Sequence, residues 1–127
     1  MTYTTTYNKS DGGFLTDYSG TVDNADIFSS AEERLAFLRN ENKVKYFLSD
    51  FSDVDDFNVT PDAVMKLADI TTKASKINSE IILVAIVPTD LMYGTGRMWQ
   101  SYSNEANWKT YMARNRNEAE AWLKEHL

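Results

Sequence analysis

The stretch from Ile81 to Pro88, "IILVAIVP", contains no polar side chain. A strand of that kind has no face to offer to water, so helices or other layers must cover it on both sides. It is far too short to cross a bilayer as a helix. A chain of 127 residues builds one such layered domain, with a core that needs neither disulfides nor a structural metal. Residues 1–127 are therefore read as a single domain.

The flanking segments supply the covering elements. Tyr3, Thr5 and Tyr7 alternate with Thr4 and Thr6 as in a strand, and "NKSDGG" turns the chain into a second strand from Phe14 to Val22. A helix follows Asp23 or Asn24, with Phe28, Ala31, Leu35 and Leu38 on one face. "VKYFLSDF" reads as a central strand that leaves through the loop "SDFSDVDDFNVTP". Thr60 then caps a helix that has Pro61 at its first position. Val64, Leu67, Ala68, Thr71, Ala74 and Ile77 form that helix's inner face.

After the aliphatic strand, Thr89 caps a helix running to about Ser103, and "WKTYMA" is a short last strand. Asn115 and Glu118 have capping-box spacing, opening a final helix with Ala119, Trp122 and Leu123 inward. The order is ββαβαβαβα, which specifies an α/β fold with a mixed sheet and right-handed crossovers.

Composition removes several kinds of chemistry. There is no cysteine, so thiol catalysis, disulfides and thiolate metal sites are excluded, and a reducing compartment is suitable. His126 is the only histidine, which excludes a zinc site or a Ser-His-Asp triad built within one chain in the usual way. The opening "MTYTTTYNKS" has neither the basic segment nor the apolar run of an export signal, and a cytoplasmic protein is expected. A formal net charge of −6 opposes nucleic acid and anionic lipid surfaces. Neither nucleic-acid binding nor stable membrane insertion is expected.

The glycine pair in "LMYGTGRMW" resembles a nucleotide loop only superficially. A dinucleotide fingerprint requires a third glycine where Trp99 stands, and a P-loop requires Lys followed by Ser or Thr where Arg97 and Met98 stand. The cap at Thr89 puts Gly94 and Gly96 inside a helix, where each costs about 1 kcal/mol relative to alanine. Two returns on that cost are open: close approach of helix to strand, or a ligand-lined gap beside the helix. Arg97, one helical turn after Tyr93, has two readings: a surface salt bridge, or contact with an anionic headgroup or partner carboxylate at the mouth of such a gap. Asp50, Asp53, Asp55 and Asp56 form the densest acidic cluster, but they lack the central glycine and closing glutamate of an EF-hand. They read as a solvated loop, and no metal or other cofactor is expected.

Four stretches, "FLTDYSG", "KYFLSDFSDV", "ILVAIVPTDLMYGTGRMWQ" and "YMARNRNEAEAWL", together resemble the SpoIIAA-like, or STAS-like, family of small bacterial proteins. The resemblance covers nearly the whole chain. Its tail is the most specific part: a short strand, an Arg-containing turn, and a helix ending Ala119 to Leu123 as Ala-x-x-Trp-Leu. The resemblance implies a mixed sheet of four or five strands with about four helices, as in anti-sigma-factor antagonists. It also implies a phosphorylated serine in an Asp-Ser-Gly-like loop, where this chain instead reads "DDFNVTP". Thr60 is the only hydroxyl residue there, and its N-cap position accounts for it. The likeness of distant relatives to lipid-binding CRAL-TRIO folds implies an apolar ligand.

The functional expectation is a noncatalytic regulatory or binding module for a partner protein or small amphipathic ligand. Its site would gather Asp50, Thr60, Thr89, Tyr93, Gly94, Gly96 and Arg97 beyond the carboxyl ends of the central strands. Two alternatives stand beside it: a lipid or acyl carrier, and an enzyme that sets a carboxylate against Arg97. A homodimer through the edge strand Tyr3 to Tyr7 is a further expectation.

Overall fold

The computed structural model describes residues 2–41 and 43–127. Along the chain run β1 (Tyr3–Asn8), β2 (Gly13–Asp23), α1 (Asn24–Asn40), β3 (Tyr46–Asn58) and α2 (Pro61–Ile77). They are followed by β4 (Ile82–Ile86), α3 (Asp90–Tyr102), β5 (Lys109–Ala113) and α4 (Arg116–His126). One sheet of five strands has the spatial order β1-β2-β3-β4-β5. Only the β1–β2 hairpin is antiparallel, and the remaining neighbours are parallel.

That order decides where the helices go. Each crossover from β2 to β5 steps to the next strand in the same direction, so a single hand of crossover places α1, α2 and α3 on one face. Nothing constrains α4 in this way, since it follows the last strand, and it folds onto the other face. The aliphatic run serves both layers. Leu83, Ala85 and Val87 belong to the core under α1 to α3, while Ile82, Val84 and Ile86 pack with Ala119 and Leu123 of α4.

The helix starts are made by the expected side chains. Asp23 accepts from Asp26 N at 3.0 Å in a full capping box, and Thr60, Thr89 and Asn115 each accept from the backbone N–H three residues on. Glu118 departs slightly from box geometry, because its Oε1 takes the N–H of Arg114 rather than that of the cap.

Three local expectations change. The acid-rich stretch expected as a loop is the second half of β3, paired with β2 as far as Asp23↔Asn58. Register shifts between Asp17 and Ser19 and between Gly20 and Thr21 break the alternation. Phe51, Val54 and Phe57 consequently meet the core at every third position, a spacing that a simple strand template misses. Gly20 supplies the left-handed backbone, φ +70°, that the irregularity needs. In α1, Ile27 rather than Phe28 is the buried residue of the first turn, and at the end of α2 Ile77 is exposed.

Burial of β4 on both faces fixes an energetic expectation. Ile86→Ala, at a fully buried site, should lower unfolding free energy by about 2–5 kcal/mol. Leu91→Ala, at a position 63% exposed, should change it by no more than about 0.5 kcal/mol. Urea denaturation of both variants checks the contrast.

Candidate functional site

Strand register sets a row of small side chains across the middle of the sheet. Thr16, Ser49 and Ala85 are direct neighbours, and Met112 continues the row on β5. On one side lies the row Phe14, Phe47 and Leu83, and on the other stand Tyr18, Phe51 and Val87. The large rows carry the helices, and the small row between them leaves a trough. Above it lie Ala31 and Leu35 of α1, Val64, Thr71 and Ala74 of α2, and Gly96 and Trp99 of α3. The result is a mainly apolar cavity of about 90 Å³ between sheet and helices.

Its polar groups are few and held in place. Arg34 lies on the inner face of α1 among Ser30, Ala31, Leu35 and Leu38, and its Nη1 donates to Tyr18 Oη at 3.1 Å and to Thr16 Oγ1 at 3.4 Å. Tyr18 Oη is also 2.6 Å from Ser30 Oγ, and its ring stacks on Phe51 at 4.3 Å. Toward the other end, Trp99 Nε1 donates to Thr71 Oγ1 at 3.2 Å. Arg34, Tyr18 and Ser49 thus give the cavity one polar end, and Thr16, outside its lining, helps to hold Arg34.

A second constellation lies beside the carboxyl ends of β4 and β5, and Asp50, expected beyond the end of its strand, is instead in the body of β3 opposite Ile86. Arg116 binds Asp50 at 2.8 Å, and Asp50 also accepts from the backbone and hydroxyl of Ser52. Arg114 Nη2 donates to Asp90 Oδ1 at 2.8 Å and to Pro88 O at 3.1 Å, while its guanidinium lies 5.0 Å from the Tyr93 ring centroid. Its Nε is buried without a hydrogen-bond partner among the described residues. On the neighbouring sheet surface, loss of hydration and then the charge of Asp50 push the Asp17 carboxyl above the usual carboxylate range. Arg116 opposes that rise, and Asp53 adds to it.

The residues singled out in the sequence divide among three places. Asp50, Thr89 and Tyr93 lie around the Arg114 and Arg116 rim. Thr60 is farther along, beyond the end of β3, where its hydroxyl accepts from Ala63 N and from Asn24 Nδ2. Gly96 borders the cavity, and a Cβ there would run into the Met112 thioether. Gly94 faces open space, with no atom within 4 Å of such a Cβ. Arg97 is exposed and donates to Gln100 Oε1 at 2.8 Å, with no ion pair among the described residues. No group of three or more His, Asp or Glu side chains suited to a metal ion occurs among the described residues.

Sequence reasoning passed over Arg34, Thr16 and Ser49. Arg34 had a readable signal, since it falls three residues after Ala31 and four before Leu38 on the apolar stripe. Thr16 and Ser49 had none, because only strand register makes them neighbours.

No protein-family model and no curated protein matches the chain. Among solved structures, the anti-sigma factor antagonist SpoIIAA in its unphosphorylated form is similar, with a TM-score of 0.65 and 7% identity. That match covers 98% of this chain and 99% of the other. An uncharacterized protein of the DUF3478 family with a SpoIIAA-like fold, from Shewanella loihica PV-4, gives a TM-score of 0.52 at 12% identity. It covers 95% of this chain and 91% of its own. These likenesses establish a SpoIIAA-like fold.

The acidic surface gives a pH-dependent expectation. A carboxyl whose pKa is raised by folding holds its proton more tightly in the native state, so native stability falls as rising pH ionises it. Asp17→Asn should therefore raise the urea midpoint at neutral pH. The gain should disappear below about pH 4, where the carboxylates are protonated. Denaturation curves at the two pH values read the difference.

Proposed function

We propose that this chain is a noncatalytic SpoIIAA-like binding module whose site is the cavity between the sheet and α1 to α3, and that its ligand is small and amphipathic. The cavity carries the reading. Native interiors are close-packed, and an unfilled space forfeits dispersion contacts on every lining atom. Its walls offer a narrow apolar body one environment and a polar group another, the usual division of labour in small-molecule sites. Gly96 belongs to this site, since it keeps α3 close to Met112 at the cavity's far end.

A regulatory protein partner at the strand-end rim is the second reading. It is favoured by Leu91, which stands 63% exposed next to Asp90 and the Arg114 cluster. It is also supported by the name of the similar SpoIIAA structure, an anti-sigma factor antagonist. Asp50, Thr89 and Tyr93 would then belong to the partner surface, with Thr60 remaining a helix cap.

Hexanol serves as a neutral probe of the cavity. It should raise the thermal midpoint of the wild type, because a ligand that binds only the folded state stabilises it by mass action. Ala85→Leu fills the cavity floor and should abolish the rise, with Ser49→Val as a milder filling variant if leucine overpacks the site. An equal rise in wild type and folded filled variants, or no rise in the wild type, would sink the cavity reading.

A further inference from the structure

We infer that Arg34 is an anion-binding residue and that the cavity takes a slender aliphatic carboxylate, its head on this guanidinium and its tail beneath α2 and α3. This inference rests on the cavity reading proposed above and names the chemical class of its ligand.

The argument begins with the donors of Arg34. A guanidinium has five N–H groups, and the two on Nη1 are directed to Tyr18 Oη and Thr16 Oγ1. Those bonds fix the plane of the group. They leave the edge formed by Nε and Nη2 without a protein acceptor or ion-pair partner among the described residues. That edge presents two nearly parallel donors, which match the two oxygens of one carboxylate. Arg34 is half-buried, so the head group would stay near water while the attached chain entered the protein.

Half-buried on the inner face of α1, Arg34 loses part of its hydration, and an opposite charge beside it would offset that loss. Two neutral hydroxyl oxygens satisfy hydrogen bonds but supply no negative charge. A bound carboxylate would supply it. Ser49 adds a hydroxyl on the strand next to Thr16, about 4.8 Å away in backbone spacing.

Shape selects the tail. The small-residue row runs from β2 to β4, two strand spacings or about 10 Å, and Met112 closes it on β5. The volume is about 90 Å³, below the roughly 150 Å³ of a cavity known to admit a benzene ring. A space of that volume takes a few methylenes of a narrow chain, with the rest of the ligand left at the mouth beside Arg34. Charge then explains why one residue matters so much: the net charge of −6 repels anions on average, leaving the attraction to the local guanidinium.

Isothermal titration calorimetry with hexanoate and hexanol separates head from tail. Wild type should bind hexanoate at least about tenfold more tightly than hexanol, a difference of about 1.4 kcal/mol. Arg34→Gln should reduce that preference to near one while hexanol affinity holds. Arg34→Lys should keep part of it, since charge survives without the planar fork. Thr16→Val gives a second route should Arg34→Gln fail to fold, and loss of the Oγ1 acceptor should weaken the preference without removing hexanol binding. Equal wild-type binding of the two probes, or an undiminished preference in Arg34→Gln, overturns the inference and leaves the cavity reading standing on hexanol. Failure of both probes to bind wild type overturns the cavity reading and this inference with it.

Discussion

Strand β4 must be buried on both faces, and the rest of the architecture follows from how unequally the two faces are covered. Three helices pack on one side because every parallel crossover advances in the same direction. A single helix, α4, covers the other side, where Ile82, Val84 and Ile86 meet Ala119 and Leu123. The small Ala119 of α4 packs directly on this face. On the wider side, helices cross several strands at once, and the residue sizes along one row determine whether the layer fills. Thr16, Ser49 and Ala85 are too small to do so.

The cavity is therefore a property of a layer rather than of any one element. The strands β2, β3 and β4 each contribute one small residue, and α1, α2 and α3 each contribute an ordinary amphipathic face. Arg34 turns this space from a packing gap into a site with direction. Its Nη1 is tied to Tyr18 and Thr16, and Tyr18 is held in turn by Ser30 and by stacking on Phe51. Such a connected polar group keeps its orientation at low entropic cost when a ligand arrives. The rim at the strand ends is built differently: Arg114 and Arg116 are already engaged by Asp90 and Asp50. Side chains in ion pairs must exchange partners to bind another molecule, whereas the Nε and Nη2 edge of Arg34 need not.

Much of the fold was legible because local chemistry repeats it. Helix caps at Thr60, Thr89 and Asn115, the turn residues before β2, and the unbroken aliphatic run each announce an element without tertiary information. The acid-rich half of β3 was not legible. Its carboxylates look like a solvated loop, and its pairing depends on β2 being equally long, with register shifts around Gly20 that disguise the apolar spacing. The site was legible only in part. Gly96 marked the α3 end of the cavity, while Gly94 and Arg97 shared its sequence neighbourhood and faced solvent. Helical geometry separates such neighbours by about 100° per residue, so proximity along the chain says little about a shared surface.

By itself the sequence determined the order of elements, the two-sided burial of β4 and the exclusion of thiol chemistry, since each of these follows from residues adjacent in the chain or from composition. Only the tertiary structure decided that Thr16, Ser49, Ala85 and Met112 stand in one row, and that Arg34 lies over its end. The physical reason is that strand register is set by packing across the whole sheet, among residues dozens of positions apart. A space left between side chains has no sequence signature of its own.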